Sequence, residues 1–387
     1  MTASRAKEIK PFIVMEVLEK AQEMEKQGID VIHLEVGEPD FDIPGCVKQA
    51  VATALDEGKT HYTHSLGDPE LRQAIADHYL KEYAVRVAMD QIIVTSGSSP
   101  AILMALSVLC EQGDEVIISD PAYACYVNFI HYIGAKAVRV PVSSADGFQF
   151  HGEDIRDKIT ARTKAILINS PMNPTGNLLS KESLEMMASL DVPIVSDEIY
   201  HGLVYGEKAR SILEFTDQAF VLNGFSKRYA MTGLRLGYLI APKKYIRNLQ
   251  KLQQNLFICA SSTAQKGAIA ALTKGGSAVE QMVRVYDERR RYLIARLRQL
   301  GFTIPVEPTG AFYVFVDARH LADDSYQLAF DILEKAHLGL TPGIDFGPGG
   351  EGYLRFSYAN SLEHIQEGLN RLEQYLHNRK EQEQLSS

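Results

Sequence analysis

Short apolar runs, many of them β-branched, recur along the first 240 residues of this 387-residue chain, and helix-length segments separate most of them. The strand candidates are 31–36, 92–95, 115–119, 137–141, 165–169, 193–196, 220–222 and 237–240. Between them, periodic patterns over 46–57, 69–83, 101–109, 124–133 and 181–189 predict helices. Pro69 stands in a first helical turn, with Asp68 before it as cap. Strands alternating with helices call for βαβ units and a largely parallel sheet, so the fold class is α/β.

The texture changes near Ser261. One long charged helix is expected over 277–300, with Asp287-Glu-Arg-Arg-Arg291 as a solvated face. Strands follow at 302–306, 311–316 and 353–357, then a last helix over 361–378 and a polar, frayed tail over 379–387. This reads as a smaller α+β unit, and the length suits two domains. Hydrophobic residues make up 45% and charged residues 23%, which excludes disorder as the main state. The net charge of −9 argues against general nucleic-acid binding, though not against a local anion pocket. Cys46, Cys110, Cys125 and Cys259 are too scattered for a C-x-x-C site and suit a reducing compartment. Neither an apolar leader core nor a membrane-length apolar run is visible, so the expected location is the cytoplasm.

Four segments carry chemistry, and each follows a predicted strand. Asn223-Gly-Phe-Ser-Lys-Arg-Tyr-Ala-Met-Thr-Gly-Leu-Arg-Leu-Gly237 puts Ser226 and Lys227 at a strand's C-terminal end, with Arg235 eight residues beyond Lys227. Ligands of open α/β sheets bind at such ends. A lysine beside another cation can serve as an amine nucleophile, and an arginine can grip a phosphate. Val195-Ser-Asp-Glu-Ile-Tyr200 delivers Asp197 at a second strand end, where a buried carboxylate needs a cationic partner. Asn169-Ser-Pro-Met-Asn-Pro-Thr-Gly176 holds Asn173 in a turn stiffened by two prolines. Val94-Thr-Ser-Gly-Ser-Ser-Pro-Ala101 places Gly97, Ser98 and Ser99 at a helix N-terminus, an anion site. Taken alone, Lys227 and Arg235 read equally well as solvated surface cations, Asp197 as a helix cap or a buried ion pair, and a small-residue turn as a capped helix start. Together they supply what pyridoxal 5′-phosphate requires: a phosphate site, an amine, an acid for the ring nitrogen and a donor for the ring oxygen.

With these motifs in this order, the chain resembles the fold-type I, class I pyridoxal-phosphate aminotransferases, in the branch that includes bacterial aspartate aminotransferases. Gly37-Glu-Pro-Asp-Phe-Asp42, Tyr62 with Gly67, and Leu71-Arg72 match as well. The resemblance implies a large domain with a mostly parallel seven-stranded sheet between helices, plus a smaller α+β domain. It implies residues 1–45 in the small domain, 46–280 in the cofactor domain and 281–387 in the small domain again. It also implies ping-pong amino transfer between an L-amino acid and a 2-oxo acid. Lys227 would form the Schiff base and shuttle the proton, and Asp197 would keep the ring nitrogen protonated. Asn173 and Tyr200 would bond the ring oxygen, and Tyr123 would stack on the ring. Gly97, Ser98, Ser99, Ser226 and Arg235 would hold the phosphate. Tyr62 would reach a phosphate across a homodimer interface, and Arg355 with Gly37 would take the substrate α-carboxylate.

Three positions depart from the aspartate enzymes. The segment Phe12-Ile13-Val14 is apolar where small hydroxyl residues are usual. Ser99 stands where a lysine is frequent, and Tyr123 where a tryptophan is common, in a chain with no Trp. The first two changes remove polar groups that would favour a second carboxylate, and so favour a neutral donor (alanine, branched or aromatic) over aspartate, with 2-oxoglutarate as acceptor. A pyridoxal-phosphate β-eliminating C–S lyase is the alternative activity. His61-x-x-His64 lacks a third ligand of matching character, so no metal is expected. The glycine-rich 342–350 stretch reads as a flexible loop on the substrate side.

Overall fold

The computed structural model describes residues 2–386. Seven strands form its main sheet, after a two-residue strand β1 (Ile32–His33). They are β2 (Ile92–Thr95), β3 (Glu115–Asp120), β4 (Lys136–Pro141), β5 (Thr163–Asn169), β6 (Ile194–Asp197), β7 (Phe220–Gly224) and β8 (Gly237–Ile240). Their spatial order is β2-β8-β7-β6-β5-β3-β4, and only β8 runs antiparallel to its neighbours. The central strands are apolar throughout because helices cover both faces of the sheet. Alternate side chains go to opposite cores. Ile117, Ile166, Ile168 and Val221 pack on one face, while Val116, Ile118, Leu167 and Leu222 pack on the other.

The helix Pro69–Tyr83 begins where the sequence predicts, with Asp68 accepting from Glu70 N at 2.9 Å. A second sheet has the order β11 (Thr341–Pro342), β12 (Tyr353–Ser357), β9 (Tyr313–Asp317), all antiparallel. The helices Gly276–Gln299, Ser325–Ala336 and Leu362–Ser386 build the core around it. β1 pairs in parallel with β10 (Leu338–Gly339), which ties the N-terminal segment to the C-terminal part of the chain.

Several local expectations need correction. Residues 302–306 make no strand: Pro305 removes a ladder donor, and only Thr303 bridges, to Asp317. The helix ending the chain continues through 379–386 rather than fraying, and Ser387 lies outside the described residues. Within Asp287–Arg291, Arg289 and Arg290 are buried, not solvated. Arg289 pairs with Asp40 at 2.8 Å, and Arg290 with Asp287 at 2.8 Å and Pro308 O at 3.0 Å. The glycine-rich stretch is a packed double turn rather than a loose loop. Asp345 in it accepts from Ile13 N at 2.9 Å, and Gly349 N donates to Asp120 at 3.0 Å. No helix among the described residues is long and apolar enough to cross a membrane.

Candidate active site

The parallel strands β5, β6 and β7 end at Asn169, Asp197 and Gly224, side by side. Above these ends lies a cavity of about 450 Å³. Lys227, Asp197, Tyr200, Asn173, Tyr123, Ser98, Ser99, Arg235, Arg355 and Gly37 all line it. Most of the residues singled out in the sequence are therefore brought together.

Lys227 follows β7 by three residues, and its Nζ donates to Gly37 O at 2.5 Å. It makes no ion pair among the described residues. Burial pulls its ammonium down to about 8; Glu38 opposes this, while Arg355 and Arg235 add to it. An amine of this kind is neutral often enough near pH 7 to act as base or nucleophile. Asp197 is 4% exposed, and burial lifts its carboxyl to about 6. Tyr126 OH donates to Oδ2 at 2.7 Å and Ile199 N to Oδ1 at 3.2 Å, which both favour ionisation. None of the ion pairs among the described residues reaches it. Asn169 ties the two strand ends: its Nδ2 donates to Asp197 O at 2.9 Å, and its Oδ1 accepts from Asn173 N at 2.8 Å.

Arg355, on β12, is buried without a carboxylate partner. Nη1 donates to Asn173 Oδ1 at 2.9 Å, and Nη2 to Glu35 O at 2.5 Å and to Thr341 Oγ1 at 3.0 Å. Its guanidinium lies 4.2 Å from the centre of the Tyr313 ring and 5.1 Å from that of Phe346. Nε is buried and unpartnered. A buried guanidinium with a spare donor is a receptor for a planar anion. Tyr200 OH bonds Tyr313 OH at 2.9 Å, and Tyr123 stands edge-on to Tyr126 and to Phe12.

At the third corner, Gly97 caps the helix Ser98–Leu109 with φ near +98°, a conformation suited to glycine. A Cβ there would lie 2.7 Å from Arg235 Nη2. On β8, Gly237 has no room for one either, being 2.9 Å in such terms from Ser98 N. These glycines let the helix N-terminus and Arg235 close on one small volume, a cradle for a phosphate.

Three predicted residues do not line the cavity. Gly97 caps the helix beside it, Ser226 is buried next to Lys227, and Tyr62 is 81% exposed, pointing to solvent from this chain. His64 Nδ1 accepts from Leu66 N at 3.1 Å within a turn. The sequence did not single out Tyr126 as a partner of Asp197, nor Tyr313. Tyr126 stands one helical turn beyond Tyr123, a spacing that could have pointed to it.

This donor set fits pyridoxal 5′-phosphate: a buried acid lacking a cation, a softened amine, and an anion cradle on a glycine turn. Fold and site together are those of a fold-type I pyridoxal-phosphate enzyme. The chain belongs to the aminotransferase class I and II family, whose model matches residues 29–372. It is 42% identical to the (5-formylfuran-3-yl)methyl phosphate transaminase of Methanocaldococcus jannaschii, over 97% of this chain and 100% of that one. It is 39% identical to the aspartate aminotransferase of Pyrococcus horikoshii, over 98% of each. A Methanococcus jannaschii structure described as similar in its active site to kynurenine aminotransferases superimposes with a TM-score of 0.91 at 41% identity, covering 97% and 100% of the two chains. The protein is a pyridoxal-phosphate-dependent aminotransferase, and these transaminase relatives disfavour the C–S lyase alternative.

Proposed function

We propose that this aminotransferase acts on neutral amino acids, aromatic and branched-chain ones foremost, with 2-oxoglutarate as acceptor. The observation that carries this is the lining of the cavity. Phe12, Val14, Met15, Leu18, Val36 and Ile102 form an apolar wall, and its only basic lining residues among those described are Lys227, Arg235 and Arg355. A side-chain carboxylate against that wall would be desolvated without a partner.

When bound, the cofactor supplies a carbonyl carbon that bonds amines and a ring that accepts electrons. In our reading Arg355 grips the substrate α-carboxylate, using the donor it leaves unpartnered, and Asn173 fixes the guanidinium. That grip orients the α C–H bond toward Lys227 Nζ, which removes the proton and returns it at the neighbouring carbon. Asp197 would hold the proton of the ring nitrogen, with the Tyr126 hydroxyl favouring its carboxylate. Asn173 and Tyr200 would hold the ring oxygen, and Tyr123 would cover the ring. Arg235, Ser226 and the Gly97–Ser99 turn would hold the phosphate.

The same reading makes the enzyme a homodimer in which Tyr62 serves the neighbouring phosphate site. Tyr62, Leu256 and Ile258 are large, apolar and exposed, and Ile258 is held at φ +65°, costly for a β-branched residue. It also groups residues 1–45 with 281–387 as one domain against 46–280, supported by the β1–β10 pairing. The four cysteines are all free, which supports a cytoplasmic location.

Steady-state kcat/KM over a donor panel, with and without 2-oxoglutarate, tests the reading. Neutral donors should lead, and only with the acceptor present. Aspartate ahead of every neutral donor by several-fold sinks the specificity. Pyruvate and ammonia from cysteine without acceptor would restore the lyase.

A further inference from the structure

The stretch His33-Leu-Glu-Val-Gly37 runs from the protein surface to the cavity wall. Leu34 N donates to Gly339 O at 3.1 Å, and Leu34 O accepts from Ser357 N at 2.7 Å, so the stretch is stitched between β10 and β12. Its carbonyls then do two things at the site. Glu35 O accepts from Arg355 Nη2 at 2.5 Å and from Thr341 Oγ1 at 3.1 Å. Two residues on, Gly37 O accepts from Lys227 Nζ at 2.5 Å.

The side chain of Glu35 is fully buried and does not line the cavity. Oε1 accepts from His33 Nδ1 at 2.6 Å, and Oε2 has no partner. Against Oε2 sits Gly339, where a Cβ would come within 2.2 Å. The position across β1 and β10 is thus open only because it is glycine. On its other side His33 Nε2 meets Glu25 Oε1 at 3.2 Å. The hydrogen bond to Glu35, with Glu25 adding, lifts the His33 imidazole to about 9 against the cost of its burial, so it donates as a cation at neutral pH. A carboxylate taken fully out of water is costly to hold, and removing its partner leaves the charge stranded.

We propose that Glu35 is a positioning residue. Locked against Gly339 by His33, it fixes the path of the 35–37 backbone and thereby the aim of Arg355. The inference rests on the reading of Arg355 as holder of the substrate α-carboxylate. A loosened Glu35 lets its carbonyl drift, and Arg355 then meets the substrate carboxylate off line.

The test compares holoenzymes carrying Glu35→Gln and, separately, His33→Gln with the wild type. KM and kcat are measured for the best neutral donor. The Kd of 3-phenylpropionate, a carboxylate without an amino group to transfer, is measured by calorimetry. KM and Kd should both rise about tenfold, the weight of one charge-assisted hydrogen bond made poorly. kcat and the visible absorption of the bound cofactor should change less, by about threefold at most, because Asp197 is untouched and the drift falls first on the Glu35 carbonyl that meets Arg355, two residues before the Gly37 carbonyl that meets Lys227. Should Glu35→Gln not fold, His33→Gln decides by the same criteria. A lower melting temperature with unchanged KM and Kd makes Glu35 purely structural and overturns the proposal, as does a loss confined to kcat. Arg355→Leu on the same carboxylate separates the two readings: unchanged Kd there removes the assignment of Arg355 itself, whatever Glu35 does.

Discussion

Asp197 should make the protein less stable as well as active, and the two effects can be separated by pH. Burial raises its carboxyl from an ordinary 3.8 to about 6. Below about pH 3 the group is protonated in folded and unfolded chains alike, and its native environment costs nothing. As pH rises through about 6, the folded chain must ionise it in a dry site, and that stability is lost. The rise corresponds to about 3 kcal/mol at pH 7. D197N removes the charge and keeps the shape. In cofactor-free protein, urea unfolding should show the variant gaining about 3 kcal/mol on the wild type between pH 3 and pH 7. Taking the difference between two pH values cancels any cost of the new amide and the contribution of neighbouring Glu198. In holoenzyme the same variant should lose about a hundredfold or more in kcat, since no carboxylate remains to hold the ring proton. A stability difference that does not change with pH would refute the argument that burial, uncompensated by a cation, sets the state of Asp197.

Three further substitutions probe other corners of the site. Tyr126→Phe removes the phenol that favours the Asp197 carboxylate, so the acid limb of the kcat/KM profile should move up by about one pH unit; an unmoved limb means the bond at 2.7 Å does not tune this group. Arg355→Leu should raise the donor KM about a hundredfold with a smaller change in kcat, as expected for one charge-assisted, bidentate contact; an unchanged KM places the carboxylate elsewhere. Tyr62→Phe should speed loss of the cofactor on dialysis, and in mixed dimers only at the site facing the altered subunit; equal retention at both sites means the hydroxyl reaches no neighbouring phosphate.

The main sheet was legible because parallel strands buried on both faces write themselves as apolar runs, and all seven lie within a residue or two of their predicted places. The helices Ile13–Lys26, Lys243–Leu256, Ser262–Lys274 and Ser325–Ala336 were not read. Ser262–Lys274 shows why: its buried face is mostly Ala, with Gly267 set against Val47 and Val51, so it has no large apolar stripe. The site was legible where a side chain stands at a strand end, as with Asp197 and Lys227. It was not where function depends on contacts between distant segments. Nothing near Arg289 in the sequence announces Asp40, and nothing near Arg355 announces the carbonyl of Glu35, 320 residues away. Pairing of that kind is settled by packing alone, and a charged run on a helix looks the same whether solvent or an acid receives it.

The net charge of −9 and an anion-binding site are compatible because the site's cations are kept from its acids. Arg289, Arg290 and Arg371 are each neutralised by close carboxylates, while Lys227, Arg235 and Arg355 have none within 4 Å among the described residues. The acids that share the cavity are Glu38, bonded to Thr232, and Asp197, bonded to Tyr126. Each acid thus has a hydroxyl for partner instead of a cation, and three positive groups converge unspent on a cavity with low-dielectric walls. Such focusing strengthens attraction for anions even when the whole surface repels them, and it weakens with salt. It also lowers the affinity of Lys227 for its proton, since two of those cations face it. A single arrangement therefore draws in carboxylate and phosphate and prepares the amine that must act once they arrive.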